Sequence, residues 1–407
     1  MNMYLTLAWR NLWRNKRRTI ITMASVYFAV ILVLFTRSMQ LGTYEHIINN
    51  TLRMYTGYIQ IQGEGYWEHR SLENSMAIAD SIIDAIRRLP STTDVVPRLE
   101  SFALASSGRQ TRGAIVMGVD PRRENDMAGL RKRIQKGDYL GQTDTGALIG
   151  LQLSEKLKIG VGDTVVLIGQ GYYGVSAAGK YAVEGIVEIP EGSFDAGVVY
   201  LTLPEAQWLY SADGRLTSVA IMLEGPEHMQ DAMQTIMDLV DTATYDVMGW
   251  REMVPELVQS IELDNVSGLI MLGILYLVIG FGVFGTVMMM VAERRRESAV
   301  LVAAGMRRSR LSLLVFLETL IIGTVGTIVG ALTAWPILVY MRANPIVMTG
   351  NAADAMREYG YEPLIPFLVE PSIFINQALV VLFIAVVAVL YPVYSITRFK
   401  LVDTLRS

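Results

Sequence analysis

The chain has 407 residues, 52% of them hydrophobic, and a mean hydropathy of +0.34, the profile of a membrane protein with room for a soluble domain. It contains no cysteine, which excludes disulfides, thiolate metal sites and lipid attachment through a lipobox cysteine, and three scattered histidines (His46, His69, His228) argue against a His-rich metal site. The net charge of −4 is unevenly spread, with 30 acids against 18 basic residues from Gly42 to Leu263 and three basic segments elsewhere, the partition expected when the large domain lies outside the membrane and the basic segments lie in the cytoplasm.

Residues 1–18 carry Arg10, Arg14, Lys16, Arg17 and Arg18, opposite an apolar stripe of Leu5, Ala8, Trp9, Leu12 and Trp13. That pattern predicts an amphipathic helix lying in the cytoplasmic interface. Residues 19–41 form the first predicted span. A cleaved signal peptide is the competing reading, but Phe35–Met39 offers no small-x-small site, so an uncleaved anchor is expected.

Residues 42–264 read as a soluble α+β domain. Strands are predicted at 57–63, 95–106, 112–119, 163–168, 180–188, 197–203 and 217–223, and helices at 77–89, 150–157 and 226–240. A charged helical stretch is expected to run to Lys136, and Trp250–Leu263 to form a helical stalk. The middle, about 105–215, is rich in strands while the flanks alternate strand and helix, which predicts two subdomains. Gly169–Gly179 reads as a loop far longer than the ~2–5 residues a hairpin needs. Its tip would carry Tyr172 and Tyr173, a residue type enriched at binding hot spots.

The second predicted span, 265–292, has 28 uncharged residues. At ~1.5 Å per residue they exceed the ~30 Å hydrocarbon core, so the helix must tilt or stand proud. Residues 293–310 then hold six arginines against two glutamates, a cytoplasmic loop by charge. Its interior reads as helix, with Glu293 and Glu297 at the end that favours acids and Gly305 terminating the turn. The third predicted span, 311–341, has one charge, Glu318, and a small-residue face of Gly323, Gly326 and Gly330 suited to close packing against the fourth span or a second subunit. An external loop at 342–370, a fourth span at 371–397 and an internal tail at 398–407 complete the chain. Glu318 at membrane depth is either a functional carboxylate or the partner of an arginine from the basic loop or first segment. No second intramembrane ionisable group lies away from the span ends, which argues against a proton-coupled transporter.

Gly174–Lys180 fits G-x-x-x-x-G-K, but position 181 is tyrosine, the following segment reads as a strand, and the site would face away from ATP. No catalytic triad or metal cluster can be picked out. An intramembrane protease or acyltransferase is the competing enzymatic reading, which activity of the chain without any ATPase would favour.

Glu293-Arg294-Arg295-Arg296-Glu297, then Ala303-Ala304-Gly305-Met306 and the helix Phe316–Leu332, resembles the coupling segment and following helix of FtsX-like ABC transporter permeases. These include lipoprotein-releasing (Lol) permeases, MacB-type efflux permeases and the cell-division permease FtsX. Gly162–Val166 and Tyr181–Val187 are similar to the family's central ectodomain strands. The resemblance implies a four-helix membrane protein with both termini cytoplasmic and a periplasmic MacB-like α+β ectodomain, 42–264, in a bacterial inner membrane. It implies a transport subunit rather than an enzyme, with no cofactor of its own. ATP and Mg would be held by a separate cytoplasmic ABC ATPase dimer gripping Glu293, Arg294, Arg295, Arg296, Glu297, Gly305, Arg307 and Arg308, and a second permease subunit, identical or homologous, would complete the complex. MacB carries a fused ATPase and FtsX a smaller ectodomain, so a Lol-type role is expected: mechanotransmission that releases lipoproteins to a periplasmic carrier. By that resemblance Tyr172 and Tyr173 occupy the position of the carrier-recruiting hook of the Lol permeases; a loop folded back with both rings packed on its own domain is the alternative. Acyl chains arriving among the membrane lipids would meet Leu34, Phe35, Leu269 and Leu272. No nucleic acid is implied. An efflux or export permease with a periplasmic adaptor, or a signalling permease that activates a cell-wall hydrolase, are the alternatives.

Overall fold

The computed structural model describes residues 2–14, 16–108, 110–189, 192–358 and 362–398. The expected tail at 398–407 lies outside these except for Arg398. The chain divides into a helical unit (Met1–Glu45, Ser260–Val347, Leu364–Ser407) and a sheet unit (His46–Gln259, Met348–Pro363).

In chain order the helices are α1 (Asn2–Arg14), α2 (Lys16–Thr51), α3 (Tyr66–His69), α4 (Asp80–Arg87), α5 (Pro121–Ala128), α6 (Leu151–Leu157), α7 (Gly192–Asp195), α8 (Leu203–Leu209), α9 (Met229–Leu239), α10 (Trp250–Met253), α11 (Pro255–Glu293), α12 (Arg295–Ala303), α13 (Arg308–Ala343), α14 (Asn351–Glu358) and α15 (Pro371–Arg398). Four of them (α2, α11, α13, α15) are long and apolar enough to cross a membrane. In the helical unit, α13 packs where its glycines remove side-chain bulk. A Cβ on Gly326 or Gly330 would meet the Val26 or Val30 Cβ of α2 at 2.9 and 3.0 Å, and one on Gly323 would meet Ala385 of α15 at 3.3 Å. The predicted small-residue face is therefore used within the chain, more against the first span than the fourth. α11 buries Leu272, Ile279, Val283 and Val287, one narrow stripe along its length.

The strands of the sheet unit are β1 (Ile59–Gly63), β2 (Thr92–Ser106), β3 (Thr111–Val119), β4 (Ile134–Gly137), β5 (Ala147–Gly150), β6 (Thr164–Gln170), β7 (Ser176–Val187), β8 (Val198–Thr202), β9 (Ser218–Leu223) and β10 (Tyr245–Gly249). β2 pairs with β3, β3 with β8, β8 with β5, β5 with β7, β7 with β6, and β6 returns to β2. Those six strands close a ring around a core that includes Leu99, Val116, Ile149, Val165, Tyr181 and Leu201. The first half of the 15-residue β2 instead pairs with β9, followed by β1 and β10, and this open arm has its own core with Ile59, Ile86, Val219 and Ile236.

Three expectations are corrected. The charged stretch to Lys136 is not one helix: α5 stops at Ala128 because Gly129 adopts φ +67°, and Ile134–Gly137 pairs with β7 as β4. The stalk is broken at Val254 (φ −128°, ψ 60°), since Pro255 disfavours the helical conformation in the residue before it. The loop expected at 169–179 is mostly strand. Gln170 pairs with Ser176, so residues 171–175 alone turn the chain, and the small residues Ala177, Ala178 and Gly179, which look like loop in sequence, continue the ladder opposite Gly169, Ile168 and Leu167.

Candidate functional site

The basic corner between α11 and α13 is built from three breaks. α11 stops at Glu293, and Arg294 leaves helical geometry with φ −88° and ψ 9°. α12 follows and ends where Gly305, at φ +98°, lets its N–H bond Val302 O at 3.0 Å while Met306 N–H bonds Leu301 O at 3.0 Å. Arg307 is extended, with ψ 137°, before α13 begins. Glu293 thus ends the preceding helix, correcting the expectation that it opens the basic one, and Glu297 occupies the first turn of α12. Ala299 is buried, whereas Arg296, Glu297, Val300, Leu301 and Arg307 are exposed. α12 therefore presents a mixed charged and apolar face. The side chain of Arg295 is not among those described, and Arg308 has a partner of its own.

Arg294 points the other way. Its Nη1 donates to both oxygens of Glu318 at 3.1 and 2.9 Å, and its Nη2 donates to the carbonyl of Asn11 at 2.9 Å. Asn11 Nδ2 donates to Glu318 Oε1 at 2.8 Å. Glu318 is 1% exposed, so its carboxylate has exchanged water for three directed hydrogen bonds from two other elements. On the outside of this cluster Arg14 of α1 pairs with Glu297 of α12. The structure thus pairs Glu318 with an arginine of the basic loop and brings in Asn11 and Arg14 of the amphipathic first helix, which the sequence pattern does not single out. The one signal for Asn11 is its amide beside the apolar stripe of α1, between Trp9 and Trp13.

At the β6–β7 turn the two tyrosine rings pack on each other, centroids 4.1 Å apart, but differ in exposure. Tyr172 lies half-buried against the ring core, its face covered by the Arg215 guanidinium 4.4 Å from the ring centroid, and its N–H bonds Tyr210 O at 2.8 Å. Tyr173, at φ 55°, is 76% exposed. The proposed entry residues separate as well. Leu34 and Leu272 are buried in the core of the helical unit, Phe35 packs on Phe367 with ring centroids 5.1 Å apart, and Leu269 is exposed. Residues 174–180 run into β7, so no helix N-terminus stands where a phosphate cradle needs one. Among the described residues no three His, Asp or Glu side chains come together as a metal site.

Residues 19–239 match the MacB-like periplasmic core domain family, and residues 269–401 match the FtsX-like permease C-terminal family. The chain belongs to the FtsX-like permeases that carry a MacB-like periplasmic core domain. Among this permease's relatives is the lipoprotein-releasing system transmembrane protein LolC of Neisseria meningitidis serogroup B, 21% identical over 243 residues, which are 58% of each chain. The LolC of Haemophilus influenzae is 21% identical over 303 residues, 72% of each. The chain thus spans rather more than half the length of the first relative. The periplasmic region of MacB from Actinobacillus actinomycetemcomitans is similar to 52% of the permease, over 95% of its own length, with 15% identity and a TM-score of 0.37.

Proposed function

We propose that this permease is the membrane subunit of an ABC transporter in a bacterial inner membrane, with its sheet unit periplasmic and α12 cytoplasmic, and that it releases lipoproteins to a periplasmic carrier. The observation that carries the reading is the outward face of α12: Arg296, Glu297, Val300 and Leu301 stand exposed on a nine-residue helix held at both ends, in a chain of a permease family. Such a face suits a cleft on a separate ATPase, which would bind ATP and Mg and drive a paired permease subunit, identical or homologous, by mechanotransmission. The names of the two LolC relatives favour lipoproteins as substrate, and Tyr173 is the residue best placed to meet a carrier.

The test is reconstitution of the full permease with the ATPase in proteoliposomes holding a fluorescent triacylated lipoprotein. Charge reversal at Arg296 together with Val300→Glu is expected to leave insertion intact and abolish ATPase binding. Tyr173→Ser is expected to leave hydrolysis intact and stop transfer to the carrier. Lipoprotein that stays in the membrane with the wild-type complex, under conditions where ATP is hydrolysed, overturns the substrate assignment and favours an efflux permease with an adaptor or a signalling permease.

A further inference from the structure

Arginines 294 and 296 belong to one basic run but serve opposite faces. Arg296 is exposed, while the Arg294 side chain is 13% exposed and occupied by Glu318 and Asn11. Arg294 also sits at the one residue where α11 ends and α12 has not begun, so whatever holds its guanidinium holds the pivot of α12. Glu318 stands ten residues inside α13, about 15 Å from its start at ~1.5 Å per residue. Asn11 holds both members of the pair at once, donating to the carboxylate and accepting from the guanidinium through its carbonyl. Arg14–Glu297 adds a second tie between α1 and α12, offset towards the surface.

We infer that Asn11, Arg294 and Glu318 form a latch that makes α1, the start of α12 and α13 move together. The inference rests on the coupling role proposed for α12. A push on α12 then turns α1 and α13 instead of being absorbed by the Arg294 break. The three are positioning residues: none needs to touch the ATPase. The chemistry is specific, because a carboxylate accepting from both an arginine and an amide fixes direction as well as distance, and losing either charged member leaves the other without its ion partner.

The absence of native cysteine allows a direct test on the full chain. Leu7→Cys on α1 and Val300→Cys on α12, both exposed positions, are spin-labelled in lipid nanodiscs and their separation is measured by pulsed electron resonance. The wild-type pair is expected to give one narrow distance. Glu318→Gln is expected to lower the docked population relative to undocked by about fivefold or more, the scale of a coupling energy. Should Glu318→Gln fail to insert, Asn11→Leu removes one arm of the latch and keeps the ion pair. An unchanged distribution in the inserted variant overturns the latch. This arm uses no ATPase, so it stands or falls apart from the coupling reading. With the ATPase bound, Asn11→Leu is expected to retain binding and lose about fivefold or more of lipoprotein-stimulated hydrolysis; hydrolysis equal to wild type overturns transmission through the latch. A wild-type chain that binds no ATPase counts against the coupling reading alone.

Discussion

Two buried arginine–glutamate pairs hold the two units of this permease, and they are built alike. In the sheet unit Arg98 of β2 donates Nε and Nη2 to Glu124 of α5 at 2.9 and 2.7 Å, and its Nη1 donates to the carbonyl of Tyr55. In the helical unit Arg294 spans Glu318 and the carbonyl of Asn11. Each arginine therefore ties three chain segments, one of them through a backbone carbonyl. They differ in enclosure. Arg98 and Glu124 are 1% and 0% exposed, whereas Arg294 keeps 13% exposure and its Nε has no partner. The first pair has no route to water and serves as a fixed joint. The second is less enclosed, which suits the moving latch proposed above.

The largest expected effect breaks the fixed joint. Arg98→Met leaves Glu124 buried and uncompensated and should cost about 3–5 kcal/mol, read as a lowered melting temperature of the full chain in detergent. The Arg98→Met, Glu124→Leu double variant should recover most of the loss. A single variant with wild-type melting would erase the distinction between the two pairs. The looser pair should matter less to stability. Glu318→Ala should cost about 1–2 kcal/mol in a denaturant titration, because Arg294 can reach water and polar groups in membranes find substitute partners; a loss exceeding that of Arg98→Met would invert the comparison.

A third site sharpens the picture through pH. Glu362 accepts from Arg133 at 2.9 Å and lies 2.6 Å from His46 Nε2, clasping 348–363 within the sheet unit. These partners hold its carboxyl down at about 2, the His46 hydrogen bond contributing most. A carboxyl depressed on folding contributes stability that is complete above its unfolded value of about 4.3 and is lost as pH falls through about 2. The melting temperature should therefore drop between pH 4.5 and 2 by more in wild type than in Glu362→Gln, and parallel curves would show that the clasp carries no stability. The smallest effect belongs to Arg14–Glu297, whose side chains are 56% and 57% exposed. Glu297→Gln should change stability by no more than ~0.5 kcal/mol, while still weakening ATPase binding if α12 is the contact.

What could be read from residues alone follows from solvent. Charge-free runs longer than a bilayer, the arginine island and the acidic excess of the large segment specified four spans and a separate α+β domain, because each depends on transfer free energies that act residue by residue. Glu318 stood out for the same reason, as a lone charge in an apolar run. Glu124 did not, since in Pro-Arg-Arg-Glu-Asn-Asp it is one charge among several and only the approach of β2 singles it out. Nor could spacing reveal that Arg294 turns inward while Arg296 faces out, that Tyr172 lies under Arg215 while Tyr173 packs on Tyr172 and stays exposed, or that Ala177–Gly179 is strand. These follow from which segment arrives opposite: Asn11 comes from 283 residues away to meet Arg294, and β6 supplies the ladder that small residues alone would not hold. Local sequence sets what a segment can tolerate, and the tertiary structure decides which partner fills each hydrogen bond, because a buried polar group is placed by its partner rather than by its neighbours in the chain.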